Sequence, residues 1–215
     1  MPTGTFKNSV FINCPFDEEY DAILQAMLFC IVDLGLVPRL AKERSDSGEI
    51  RLHKIADLIR DSRFSIHDLS RSQARKKDEY FRLNMPFEYG VDWACRRWYG
   101  EGRDQKIFLI LDEKKYRYQA ALSDIAGSDI KFHQADYQKA VRAVRNWLVS
   151  EPCVKAPGAT KILERYATFQ AWHYEKQLAA GFSDEDIEDY PTPEFLASMV
   201  DWKKAGEPIA YNGVD

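Results

Sequence analysis

Residues Arg82-Leu83-Asn84-Met85-Pro86-Phe87-Glu88-Tyr89-Gly90-Val91-Asp92-Trp93-Ala94 set one carboxylate among three aromatic rings. Asn84 is a favoured helix N-cap and Pro86 is tolerated in a first helical turn, so a helix is predicted to begin here. Glu88 then falls in that first turn, where the helix dipole favours an ionised carboxylate. Such an anion could serve as a nucleophile, with Phe87, Tyr89 and Trp93 as walls for a planar ligand. Gly90 clears room for something to approach the backbone. The plain alternative is an acid that merely offsets the dipole.

Positioning this carboxylate falls to an alternation of strands and helices. Val10 to Cys14 is a short apolar run ended by Pro15, which reads as a buried strand. A helix over roughly 19–34 carries Ile23, Leu24, Met27, Leu28 and Ile31 at helical spacing and stops at Gly35. Leu36 to Ala41 reads as a second strand, with Pro38 placing it at an edge. A helix with Ile50, Ile55, Leu58 and Ile59 precedes a third strand, Phe64 to Leu69. A charged loop from Ser70 to Arg82 is expected to be solvated, with a lid as its other role. The Glu88 helix should run to about Tyr99. Lys106 to Asp112 is a near-continuous apolar strand of the kind covered on both faces. A short helix over Tyr116 to Ile125, a fifth strand over Ile130 to His133 and a helix over Asp136 to Val149 complete the pattern.

Five such alternations predict a flavodoxin-like or Rossmann-like α/β domain over residues 1–150: a five-stranded parallel sheet flanked by helices, in the order 2-1-3-4-5. Ligands of these sheets bind beyond the carboxyl ends of the strands. Asn13, Phe16, Asp17, Asp68, Ser70 and Asp112 are expected on that rim, and Glu88 opens the helix after strand three. Residues 151–215 read as a helical extension. Ala156-Pro157-Gly158 forms a linker, Thr160 to Ala180 one long helix, and Pro191 starts the last helix. Two amphipathic helices must cap the sheet domain or meet a partner chain.

The chain has 215 residues, 45% hydrophobic and 30% charged, with a formal net charge of −4. The acidic balance argues against direct nucleic-acid binding. No apolar run reaches membrane-spanning length and the N-terminus lacks a signal-peptide core, so a cytoplasmic protein is expected. Cys14, Cys30, Cys95 and Cys153 show neither metal-ligand nor disulfide spacing. Cys30 and Cys95 read as buried thiols, and Cys14, beside a strand end, as the one that could react. His67 neighbours Asp68 on a strand, points to the opposite face and reads as structural. No GxGxxG or P-loop pattern is present, and no cofactor or metal is expected.

Val10-Phe11-Ile12-Asn13-Cys14-Pro15-Phe16-Asp17 resembles the first strand and loop of the nucleoside 2-deoxyribosyltransferase family. Ser65-Ile66-His67-Asp68-Leu69 is similar to that family's third strand, which closes on an aspartate. Phe87-Glu88-Tyr89-Gly90 is similar to its segment bearing the nucleophilic glutamate. The resemblance covers residues 8–149. TIR domains, which use a glutamate to cleave NAD, share the broad architecture, as do bacterial defence effectors that break N-glycosidic bonds. The resemblance implies that Glu88 attacks the anomeric carbon while Asp68 holds or protonates the leaving base. Asn13 and Asp17 would contact the sugar or base, and Phe16 would stack on the ring. With Pro15, Ser70, Asn84, Met85 and Tyr89 they make up the expected substrate-binding set. The Arg-Leu-Asn-Met-Pro approach to Glu88 departs from the family's Gly-rich or Ser/Thr-bearing loop, which bears on the sugar contacts.

The expected function is cleavage or transfer at an N-glycosidic bond of a nucleoside, nucleotide or NAD, by a homo-oligomer. The alternative is a non-catalytic module that senses a nucleotide and signals or assembles through its C-terminal helices.

Overall fold

The structure is a computed structural model that describes residues 4–43, 46–71, 83–115, 122–125, 127–150 and 155–213. The strands are β1 (Ser9–Asn13), β2 (Val37–Arg39), β3 (Phe64–Asp68), β4 (Ile107–Asp112) and β5 (Lys131–Phe132). All neighbours run parallel, in the order β2-β1-β3-β4-β5. This is a doubly wound, Rossmann-like α/β sheet with the expected strand order. Each residue of β1 and β3 is buried, because helices cover both faces and no alternation with solvent survives. Pro38, which lacks an N–H, sits on the edge strand β2, where only β1 is a neighbour.

Helices α1 (Glu18–Asp33) and α4 (Tyr137–Ser150) pack on one face of the sheet; α2 (Arg51–Arg60) and α3 (Asn84–Trp98) cover the other. Gly35, at φ +80°, ends α1 in a left-handed turn. The Leu36 N–H reaches Ile31 O and the Gly35 N–H reaches Val32 O, the paired bonds of a Schellman cap. The stretch from Ala26 to Val32 is buried at every position. A helix apolar all round is covered all round, and here the second cover comes from the C-terminal part of the chain.

That part folds as α5 (Ala159–Ala179), α6 (Asp184–Glu188) and α7 (Thr192–Lys204). Phe29 of α1 meets Tyr166, Phe169 and Trp202 at ring-centroid distances of 5.3, 5.5 and 5.8 Å. The buried Asp33 carboxylate receives Arg165 of α5 at 2.8 Å and Lys203 of α7 at 3.0 Å. Of the two roles open to these helices, they take the first: they cap the sheet layer through α1, in one continuous hydrophobic cluster.

Local boundaries differ in places. Leu83, in helical conformation, occupies the cap of α3, and Asn84 is already inside the helix. Glu88 therefore lies in the second turn, beyond the reach of the dipole argument. Ser123–Ile125 is a single 3-10 turn where a short helix was expected; residues 116–121 of that segment lie outside the described residues, as do residues 72–82 of the charged loop. No helix among the described residues is long and apolar enough to cross a membrane.

Candidate active site

In the order β2-β1-β3, successive connections leave β1 in opposite directions, so a crevice opens between the carboxyl ends of β1 and β3. Three groups of side chains are built on β1, β3 and α3: one on the α1 side of the sheet and two on the side covered by α2 and α3.

The first is anchored on Asp68, fully buried at the end of β3. Tyr20 Oη donates to its Oδ2 at 2.5 Å, the Ser70 N–H donates to Oδ1 at 2.9 Å, and the Ser70 hydroxyl bonds the same oxygen. His133 Nε2 lies 3.1 Å from Oδ2 and 2.9 Å from Ser70 Oγ. The Ala135 N–H points at His133 Nδ1 at 3.1 Å, which fixes Nδ1 as an acceptor and puts the neutral ring's proton on Nε2, facing Asp68. Burial alone would raise the Asp68 pKa; His133, Ser70 and Tyr20 overcome it and hold the carboxyl below its ordinary value. Asp68 is thus an anion with its acceptor positions filled. It organises the rim and holds no proton to give.

The second group lies on the opposite face of β3. Asn13 Nδ2 donates to Met85 O at 2.8 Å and to His67 Nδ1 at 3.1 Å, using both amide hydrogens. With Nδ1 accepting, His67 Nε2 donates to Asp92 Oδ2 at 3.1 Å. Lys106 Nζ sits 3.1 Å from Asp92 Oδ1 and donates to Ile59 O at 2.7 Å and to Ser62 O. His67, Asp92 and Lys106 are almost wholly buried. The chain Asn13–His67–Asp92–Lys106 pins the start of α3 to the sheet, and His67 is structural.

Glu88 makes the third group. It is 5% exposed and one turn from Asp92 on the same face of α3. Its cationic partner is Arg51 at 3.8 Å, from the half-exposed start of α2, and Asn84 bonds the carboxyl from one turn before. Burial dominates and lifts the carboxyl from 4.5 to about 7; Arg51 and Asn84 pull weakly the other way. Helix-dipole stabilisation of a firmly ionised Glu88 does not hold: the group is poised between its two protonation states near neutrality.

Cys14 ties the groups together. Its thiol is buried and its pKa is pushed well up, first by burial and then by the negative charges of Asp68 and Glu88. Lys42 opposes them, and Asp21 adds to them. A thiol held protonated in this way is not a reactive nucleophile. Cys30 is likewise buried and raised, while Cys95 is half-buried.

The remaining expected residues divide. Ser70 belongs to the Asp68 group and Met85, buried, to the Asn13 group. Tyr89 packs edge-on against His67 at 5.1 Å and Phe108 at 6.1 Å. Pro15 is buried; Phe16 lies under Lys42, 5.1 Å from its ammonium. Asp17 is held by Arg71 at 2.9 and 3.1 Å, and Arg71 also reaches Glu19 and Glu113, strapping the rim together. Phe87 and Trp93 are exposed, away from the buried face that carries Glu88, and do not wall it. Tyr20, Arg51, Arg71, Asp92, Lys106 and His133 were not expected at the site. The i, i+4 spacing of Glu88 and Asp92 was the one signal available for any of them.

The described fold and site define a doubly wound α/β protein with a buried carboxyl at its topological switch point. Comparison with protein-family models, curated proteins and solved structures gives no match.

Proposed function

We propose that the chain binds a nucleoside, nucleotide or NAD in the β1/β3 crevice and breaks its N-glycosidic bond, with Glu88 as the carboxylate that meets the anomeric carbon. The observation that carries this reading is Glu88 itself: a nearly buried carboxyl, balanced near neutrality, near the start of the helix that follows β3. An oxocarbenium-like transition state is stabilised by an adjacent anion, and desolvation strengthens that interaction.

The state of Asp68 narrows the substrate. An acid held ionised by Tyr20, Ser70 and His133 cannot protonate a departing base. Purine and pyrimidine bases leave more readily with a proton supplied, whereas the nicotinamide of NAD departs as a neutral molecule without one. The geometry favours a pyridinium nucleotide, with Asp68 positioning the rim.

The same filled Asp68 also favours the second reading, a module that binds the nucleotide without cleaving it. Incubation with NAD and with a panel of nucleosides, followed by chromatography for released base, separates the two. Nicotinamide release by wild type that is lost in Glu88→Gln supports the enzyme. Saturable NAD binding with no product from any substrate replaces it with the sensor.

A further inference from the structure

The outward face of α3 carries several large apolar side chains, with the exposed Arg97 beside them near its end. Leu83 is 67% exposed, Phe87 56%, Trp93 44% and Trp98 71%, and Tyr99 follows at 48%. Phe87, Gly90, Ala94 and Trp98 recur at intervals of three and four and form one stripe, bulky at both ends and small in the middle. A Cβ built on Gly90 meets nothing within 4 Å, so no contact inside the chain requires a glycine there. Beside the stripe runs a groove of about 410 Å³ between α2 and α3, walled by Ile59, Val91, Cys95 and Trp98, with Asp57 and Arg60 at its α2 side.

We infer that this face is the contact between two copies of the chain, paired antiparallel through α3 about a two-fold axis near Gly90 and Ala94. Phe87 and Trp98 lie three turns apart, about 16 Å along the axis. The two-fold carries Phe87 of each copy to the level of Cys95 and Trp98 on the other, beside the mouth of its groove. The small residues at the centre let the two helices approach closely. Knob and groove on one surface, related by a rotation that closes, are what an isologous dimer requires. The exposed portions of the four rings alone amount to roughly 400 Å², against about 800 Å² per partner in a standard interface. Leu83, Ile50, Leu52 and the groove walls supply more. This inference does not rest on the reading of Glu88, although Glu88 lies on the inner side of the same helix.

Sedimentation velocity of the full chain, from low to high micromolar, tests it. Wild type should shift to twice the mass of one chain. Gly90→Gln and Trp98→Lys, both on the surface of the single chain, should keep a wild-type circular-dichroism spectrum and stay at one-chain mass over the same range. Leu178→Lys, on an exposed part of α5, should associate like wild type. Wild type at one-chain mass throughout overturns the proposal. So does a two-chain species that persists unchanged in both α3 variants.

Discussion

Glu88 and Asp92 stand one turn apart on the buried face of α3, and the protein treats their charges in opposite ways. Asp92 is neutralised by Lys106 and bonded by His67, each at 3.1 Å. Glu88 has Arg51 at 3.8 Å, on a side chain 56% exposed. One carboxylate is fixed in place; the other is left with a proton it can exchange.

That proton has a stability signature. Between 4.5 and about 7 the folded chain holds a proton on Glu88 that the unfolded chain has released. Stability therefore falls as pH rises through this window and is level above it. Glu88→Gln removes the titration, so the variant should gain on the order of 3 kcal/mol over wild type between the two ends of the window. Urea midpoints across the range measure it. A difference between the two proteins that does not vary with pH would mean that Glu88 is solvated.

Asp68 should behave in the opposite sense. Its folded pKa is lowered, so its contribution is complete above the ordinary 3.8 and is lost as pH falls through the lower folded value. Asp68→Asn turns an amide towards groups that already donate, Tyr20 Oη and the Ser70 N–H. The expected cost is about 3 kcal/mol at neutral pH, as for breaking a buried pair. The variant's acid-unfolding curve should also be flatter than that of wild type between pH 3.8 and the lower folded value. Equal slopes in acid would place the carboxylate outside the balance.

Lys106 and Asp92 are coupled through direct contact in a dry site. Lys106→Met alone leaves Asp92 a buried charge without its cation and should cost about 3–5 kcal/mol. Adding Asp92→Leu removes the stranded charge and should recover much of that loss. The double-mutant cycle by chemical denaturation should return a coupling of about 1–3 kcal/mol. Additive losses would show that the pair does not interact.

The sheet was legible because its determinants are local. Short apolar runs such as those ending at Pro15 and Asp112, separated by helical patterns such as the one stopped at Gly35, gave five strands and their parallel sense, and Pro38 gave the edge position of β2. The rim residues Asn13, Asp68 and Ser70 followed from the rule about strand ends. What they bond to did not. Tyr20 and His133 reach Asp68 from segments 48 and 65 positions away in the chain, Tyr20 before it and His133 after it, and no periodicity announces such a meeting. The start of α3 was misplaced by one residue because Asn84 has the chemistry of a cap, yet Leu83 takes the position. That single shift moved Glu88 out of the first turn and changed the forecast for its charge. Burial, which a sequence does not display for a lone acid, decided the rest.

The C-terminal helices carry the last prediction. Trp202 of α7 is 1% exposed and packs tilted against Phe29 of α1 and edge-on against Phe169 of α5, with its Nε1 donating to Pro208 O at 3.0 Å. Trp202→Ala should cost about 3–5 kcal/mol, the range for emptying a large aromatic site; Trp202→Phe should recover most of it. Because the site joins α1 to α5 and α7, the loss should appear in a single cooperative transition, with far-UV circular dichroism and tryptophan fluorescence coincident. A chain ending before Ala159 would expose Phe29 and strand Asp33 without Arg165 and Lys203. It should lose that cooperative transition and bind hydrophobic dyes. Two separate transitions in the full chain, or a well-folded truncated one, would show that the helices are an appendage and that the sheet stands without them.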